Sequence, residues 1–291
     1  MEKIGLVLEG GAYRGIFTAG ALDLLIDEGI RFPYVIGVSA GSGNAINYIA
    51  GQKERTRKVI THEGATPYFG LRTLLKTGKL LNLDVMLYTY CYKQIPFDFD
   101  AYFSSTAERE YTVVCCESGE PEYLADGGDP DRLLEVCKAS CSVPFVSKPV
   151  ELDGKHYLDG SLVDSVPFER AFEQGCERAV VILTRGADDQ PTDYSKSKRV
   201  AKWFYGKKYP ELYNALMLRF ERYGQAMEKL LEQERAGRLL VIRPEIPTIK
   251  HFEKNSEKVR AYYDHGYEQM RAALPALREF IGAAGPAEVQ G

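Results

Sequence analysis

The chain has 291 residues, a formal net charge of -4 and a composition that is 45% hydrophobic and 27% charged. Those fractions are ordinary for a globular protein, and the length suits one large domain or two small ones. The mildly acidic balance lacks the basic footprint of a nucleic-acid binder, so no nucleic-acid partner is expected.

The opening "MEKIGLVLEGG" has too short an apolar run for a signal peptide, carries Glu9 and turns straight into glycines. No window supplies the roughly 18 uncharged apolar residues of a membrane-spanning helix. A cytoplasmic location is expected on those grounds. "KIGLVLEG" (3–10) is a short apolar run ending in glycines, which predicts a buried strand. Residues 15–29 place Ile16, Ala19, Leu22, Leu25 and Ile26 at helical spacing, closed by Gly29. "YVIGVS" (34–39) predicts a second strand and "AGSGNAINYIAG" (40–51) a second helix. This alternation predicts an α/β fold with a central, mainly parallel sheet between helices.

Residues 52–104 read as mostly helical or irregular. "EYTVVCCES" (110–118) is strand-like. Asp129-Pro130 is an N-cap followed by proline at the first helical position, opening a helix over 131–141. A helix over 167–175 and a strand over 177–185 follow. From 193 the character changes to long, charged, Tyr-rich helical stretches. One short strand, "RLLVIRP", interrupts them, and a helix over 255–281 comes last. The expected organisation is a core over 1–185, a helix-rich region over 186–281 appended to it within one domain, and a flexible tail over 282–291. Of the six cysteines, Cys115 and Cys116 are adjacent in a strand and Cys137 and Cys141 lie one helical turn apart. No histidine or second cysteine pair stands at zinc spacing, so buried thiols are expected and no metal.

Three stretches carry chemistry. The first is Gly37-Val38-Ser39-Ala40-Gly41, a serine between a predicted strand and a predicted helix. A tight turn there exposes the hydroxyl, and the small neighbours Gly37, Gly41 and Gly43 let strand and helix approach. The helix starting near Ala40 points its positive end at the site. The second is Gly10-Gly11-Ala12-Tyr13-Arg14-Gly15, directly after the first strand. Successive backbone N–H groups in such a loop bind an anion. No P-loop Lys-Ser/Thr or G-x-G-x-x-G accompanies them, so the oxyanion of a tetrahedral intermediate fits better than a phosphate. Arg14 either holds the loop in shape or meets an anionic substrate group. The third is Asp159-Gly160, at the end of a strand-like run, where the carboxylate is placed to receive a proton. The four histidines, His62, His156, His251 and His265, give poor support for a triad. His156 would face away from Asp159, yet it shares that strand and is expected to be the most sensitive of the four.

Together these stretches resemble the patatin-like phospholipase family. That family combines a G-G-[GA]-x-[RK]-G oxyanion loop, an early G-x-S-x-G elbow and a later D-G-[GA] aspartate. "KASCSVPFVSKPV" also resembles its A-S-x-x-x-P-x-F connection. The resemblance covers about residues 4–185 and implies a three-layer α/β/α fold. It further implies a Ser-Asp dyad of Ser39 and Asp159. Gly10, Gly11, Ala12 and Ala40 would form the oxyanion hole, with Arg14, Gly15, Gly37, Gly41 and Gly160 in support. The implied activity is hydrolysis of lipid acyl esters without cofactor. Two positions depart from the pattern. Ala12 replaces a third glycine, at a cost of about 1 kcal/mol if its φ is positive. Ser161 follows Asp159-Gly160 and brings a hydroxyl near the carboxylate. Two other functions fit the same motifs: acyl transfer to an acceptor other than water, and a non-catalytic lipid- or protein-binding module. Residues 195–210 hold six Lys and Arg, no acid and the sole tryptophan. They suit either a solvated helix or contact with an anionic membrane surface.

Overall fold

The computed structural model describes residues 2–63, 65–187 and 189–282. Most of the tail expected over 282–291 therefore lies outside the described residues. Eight strands form one sheet: β1 (Ile4–Leu8), β2 (Tyr34–Val38), β3 (Glu108–Cys115), β4 (Pro121–Leu124), β5 (Val150–Leu152), β6 (Lys155–Asp159), β7 (Arg178–Ile182) and β8 (Leu239–Ile242). Their order is β5-β6-β3-β2-β1-β7-β8, with β4 pairing off β3. The run from β3 through β2, β1 and β7 to β8 is parallel throughout. β4 and β6 pair antiparallel with β3, and β5 antiparallel with β6. The sheet is thus mixed and mostly parallel. β4 and β5, four and three residues long, are too short to show a period in sequence.

The helices are α1 (Gly15–Asp27), α2 (Ala40–Ile49), α3 (Arg55–Thr61), α4 (Leu71–Thr77), α5 (Phe99–Ser104), α6 (Pro130–Ser140), α7 (Phe168–Glu173), α8 (Lys198–Tyr205), α9 (Pro210–Arg235) and α10 (Ser256–Phe280). A π-helix spans Val85–Gln94. The Asp129 side chain caps α6 through Arg132 N–H at 2.7 Å, as its sequence predicts. No described helix is long and apolar enough to cross a membrane.

β1 and β2 are buried along their whole length because helices cover both faces. Leu6 and Leu8 point into one core with Ile16, Ile46 and Leu133 from α1, α2 and α6. Val7 points into the other with Phe168 and Leu230 from α7 and α9. α10 belongs to the first layer and meets α1 backbone to backbone. A Cβ on Gly20 would stand 2.0 Å from Tyr263 O, and one on Gly266 would stand 2.0 Å from Phe17 O. Hydrogen is the only side chain that fits at either crossing point. The chain leaves β1 towards β2 on one side, and β7 flanks it on the other. The C-terminal end of β1 is therefore a switch point, where parallel sheets open a crevice.

Candidate active site

Ser39 stands where β2 turns into α2, with φ 56° and ψ -122°. That conformation is costly for a residue with a side chain, and neighbouring contacts hold it. Ser39 N–H donates to Ser140 Oγ at 2.9 Å, and Ser140 Oγ donates to Thr112 O at 2.8 Å. The Cys141 thiol donates to Ser39 O at 3.2 Å. Gly41 lets α2 approach β1, since a Cβ there would lie 2.2 Å from Leu8 O. Gly37 lies under the same turn, facing Gly41 O.

Asp159 ends β6. Because β6 runs against β3, Asp159 pairs with Val113, one residue beyond Thr112, which pairs with Val38. The carboxylate arrives level with the elbow, and Ser39 Oγ donates to Asp159 Oδ2 at 2.7 Å. Its other oxygen, Oδ1, accepts from Ser161 N–H at 2.9 Å, a bond any residue at 161 would make. Gly160 passes close to Thr112 O, where a Cβ would come within 2.5 Å. Ser39 and Asp159 are 7% and 3% exposed. Burial pushes the Asp159 carboxyl above the usual carboxylate range, against the pull of the Ser39 and Ser161 bonds and the charge of Arg219.

The loop after β1 lies against the elbow. A Cβ on Gly10 would stand 2.9 Å from Ser39 Cβ, and one on Gly15 would stand 2.8 Å from Ala40 Cβ. Among the described residues, the N–H groups of Gly10, Gly11 and Ala12 have no protein acceptor. Ala12 has φ 51°, so it does carry the left-handed strain of about 1 kcal/mol that its position threatens. Ala40 opens α2, and its N–H is one of the orphan donors of a helix start.

Arg14 holds this loop rather than facing the cavity. Its Nε donates to Ile249 O at 3.1 Å and its Nη2 to His251 Nδ1 at 3.1 Å, while Tyr13 N–H donates to His251 O at 3.0 Å. Since a guanidinium only donates, His251 Nδ1 is unprotonated. Burial, reinforced by Arg14, Arg185 and Arg219, pushes the His251 pKa down to about 4. The other histidines are also engaged away from Ser39 and Asp159. His62 bonds Tyr13 and Tyr90, His156 bonds Glu117, and His265 accepts from Glu245 N–H. His251 and His62 touch the loop, through Arg14 and Tyr13, and His156 does not.

Behind the loop, Glu9 is fully buried. Its Oε2 accepts from Thr184 N–H at 2.6 Å and Thr184 Oγ1 at 2.9 Å. Its Oε1 accepts from Tyr223 OH at 3.1 Å and lies 3.2 Å from Arg185 Nη1. Arg219 of α9 donates through Nε to Ser161 O at 3.0 Å. None of Ser140, Glu9, Arg185 and Arg219 was legible as a site residue. Only Ser140 left a signal, as the first serine of the "KASCSVPF" stretch.

In front, a cavity of about 110 Å³ begins at Ala12, Ser39 and Ala40. Ile46, Ile60, Leu83 and Leu87 make its inner walls apolar, and Phe252 closes one side against Tyr13 with ring centroids 5.5 Å apart. The arrangement can hold an apolar chain with its reactive end at a serine hydroxyl, a carboxylate and three or four free N–H groups. All six cysteines are free thiols, five buried and Cys141 half-buried.

Comparison with known proteins agrees with this architecture. The family described as patatin-like phospholipase matches residues 6–172, and a domain of unknown function (DUF6363) matches residues 209–282. The uncharacterized protein YjjU of Escherichia coli (strain K12) is 33% identical over 188 residues, 62% of this chain and 52% of that one. Lysophospholipase NTE1 of Saccharomyces cerevisiae (strain ATCC 204508 / S288c) is 23% identical over 207 residues, 67% of this chain and 12% of that one. The chain thus spans about half the length of the first relative and a small part of the second. The crystal structure of VipD from Legionella pneumophila shares the fold, with a TM-score of 0.52 at 14% identity, over 95% of this chain and 67% of that one. A family match covering more than half of its residues, on a sheet with these turns, means that the chain belongs to the patatin-like phospholipase family.

Proposed function

We propose that the protein hydrolyses carboxylic esters of lipids through a Ser39–Asp159 dyad. The observation that carries the reading is the 2.7 Å bond from Ser39 Oγ to Asp159 Oδ2 at the end of an apolar cavity. Ser39 Oγ attacks the ester carbonyl carbon, and its proton passes to Asp159 Oδ2. The carbonyl oxygen takes the negative charge and is met by N–H groups of Gly10, Gly11, Ala12 and Ala40. When the intermediate collapses, the bond to the leaving alcohol breaks and Asp159 returns the proton to that oxygen. A water molecule then gives a proton to Asp159 while its oxygen attacks the acyl group. The free acid leaves and Ser39 regains its proton. An aspartate with the usual pKa of about 3.9 is a weak base. Burial strengthens Asp159 in that role, because it raises the affinity of the carboxylate for a proton. The scheme needs neither metal nor nucleotide. Relatives that are lysophospholipases support lipid esters as the substrate class.

The test is a lipid and ester panel run on wild type, Ser39→Ala and Asp159→Asn, with products identified by mass spectrometry. Free acid is expected from wild type and nearly none from either variant. Full turnover in either variant overturns the dyad. Product that appears only with added alcohol or thiol acceptors identifies acyl transfer instead. A folded wild type that neither turns over nor reacts with a fluorophosphonate is a binding module.

A further inference from the structure

Two helices present large apolar side chains to the outside. α4 presents Leu71 and Leu75, which are 73% and 86% exposed, and α8 presents Trp203 at 79%, with Val200 and Phe204 at 50% and 46%. Leu71 and Leu75 are one helical turn apart, and Trp203 and Phe204 each lie about one turn from Val200, so each helix shows a single apolar stripe. Large apolar side chains grouped in this way mark a surface that something else covers.

Charge identifies the cover. Residues 70–80 hold Arg72, Lys76 and Lys79 and no acid; residues 195–210 hold six Lys and Arg and no acid. All nine cations are exposed, in a chain whose net charge is -4. Among the described residues only Lys79 and Lys196 have a carboxylate within 4.0 Å, from Asp84 and Asp193. A second copy of the chain docking through this face would press nine cations against nine, because a twofold interface apposes like surfaces. An anionic bilayer satisfies both features, taking the apolar stripes into its boundary and pairing headgroups with the cations.

The two helices are far apart in sequence but reach one groove. Gly78, Lys79 and Leu80, directly after α4, line it together with Phe204 and Tyr205 of α8 and with Lys208; Asp84, Glu135 and Glu151 line it too. Leu81 and Leu83 line both this groove and the cavity that ends at Ser39. We propose that α4 and α8 together form a docking surface for an anionic lipid bilayer, which sets the cavity mouth at the interface. The proposal draws on the hydrolase reading only for the purpose of that placement; binding itself needs no turnover.

Trp203 is the only tryptophan, so its fluorescence reports on the surface directly. The full chain is titrated with vesicles of phosphatidylcholine alone and of phosphatidylcholine with about one third phosphatidylglycerol. Anionic vesicles should shift Trp203 emission to the blue, with affinity at least roughly tenfold above that for neutral vesicles, and raised salt should weaken it. Leu71→Ser with Leu75→Ser keeps Trp203 and should lower that affinity roughly tenfold at an unchanged melting temperature, since both side chains are exposed. Trp203→Ser, read by vesicle co-sedimentation, should do the same. Absence of the blue shift, equal affinity for both vesicles, or full affinity in the leucine variant overturns the proposal. So does a doubling of molecular mass in solution that shields Trp203 without lipid. A soluble short-chain ester separates the two readings. Vesicle binding without ester turnover strikes the hydrolase assignment alone, and ester turnover without vesicle binding strikes the docking surface alone.

Discussion

Two buried carboxylates flank the loop after β1, and their surroundings differ. Glu9 accepts three hydrogen bonds and has the Arg185 guanidinium 3.2 Å away. Asp159 accepts two, from the Ser39 hydroxyl and the Ser161 N–H. The nearby Arg219 spends its Nε on Ser161 O rather than on the Asp159 carboxylate. Both groups are out of water, so burial does not separate them. A saturated carboxylate beside a cation is a brace. A carboxylate without a directly bonded cation, next to a hydroxyl, keeps its affinity for protons.

The comparison breaks first at Asp159 and Ser39. Asp159→Asn and Ser39→Ala should each lower kcat/KM for esters by several orders of magnitude, as loss of a group at the reacting atoms does. Glu9→Gln should act on stability instead. It leaves Arg185 buried without its counter-charge, a loss of about 3 kcal/mol, seen as a lower midpoint in urea unfolding. If Glu9→Gln left stability intact and removed turnover, the roles would be reversed.

The histidines sharpen the contrast. His251→Gln disturbs the Arg14 clamp on the loop and should cost about tenfold in turnover, the scale of a small misplacement. His62→Gln, His156→Gln and His265→Gln should cost less. A thousandfold loss at any of them, with unchanged melting temperature, would reveal a hidden triad. His251, with a pKa of about 4, should contribute no activity limb between about pH 5 and 8.

The smallest effect is in pH dependence. The pKa of folded Asp159 is raised, so the stability gained by its protonation is fully present below the pKa of the unfolded carboxyl. That gain is lost as pH rises through the folded value. Activity should rise over the same window, because the proposed base must be ionised. Thermal melts and kcat/KM should therefore run in opposite directions with pH, and Asp159→Asn should remove that share of the slope and melt slightly higher at neutral pH. Asp23, buried beneath Tyr263 OH and Glu54 N–H with a pKa raised to about 6, follows the same sign. Asp23→Asn should flatten stability between about pH 4 and 6 without changing turnover.

The motifs around Ser39 and Asp159 were legible because their constraints are local. Gly41 must be small to let α2 touch Leu8, and Gly160 to pass Thr112. Asp129-Pro130 announced α6 in the same way, through the chemistry of two adjacent residues. Glu9, Arg185 and Arg219 were not legible because each acquires its role from a partner far along the chain. Nothing in "LEGG" tells a brace from a base. β4 and β5 were missed because they are held by pairing with β3 and β6, not by a pattern of their own. The exposed stripe of α4 escaped notice because leucines at helical spacing read as core until burial is known.

The backbone contact of α1 with α10 has a consequence for the timing of synthesis. β1 lies inside the sheet, while the segment that clamps its loop, Ile249 and His251, comes far later in the chain, just before α10. Ser39 and Asp159 leave the ribosome well before that clamp, by several seconds at about 5–20 residues per second. During that interval the nascent chain holds Ser39 and Asp159 without the contacts that fix the loop after β1. Docking of the last helix, glycine against backbone, then closes the clamp. If Ser39 and Asp159 act as proposed, the loop beside them would gain its clamp only once this last packing step has taken place.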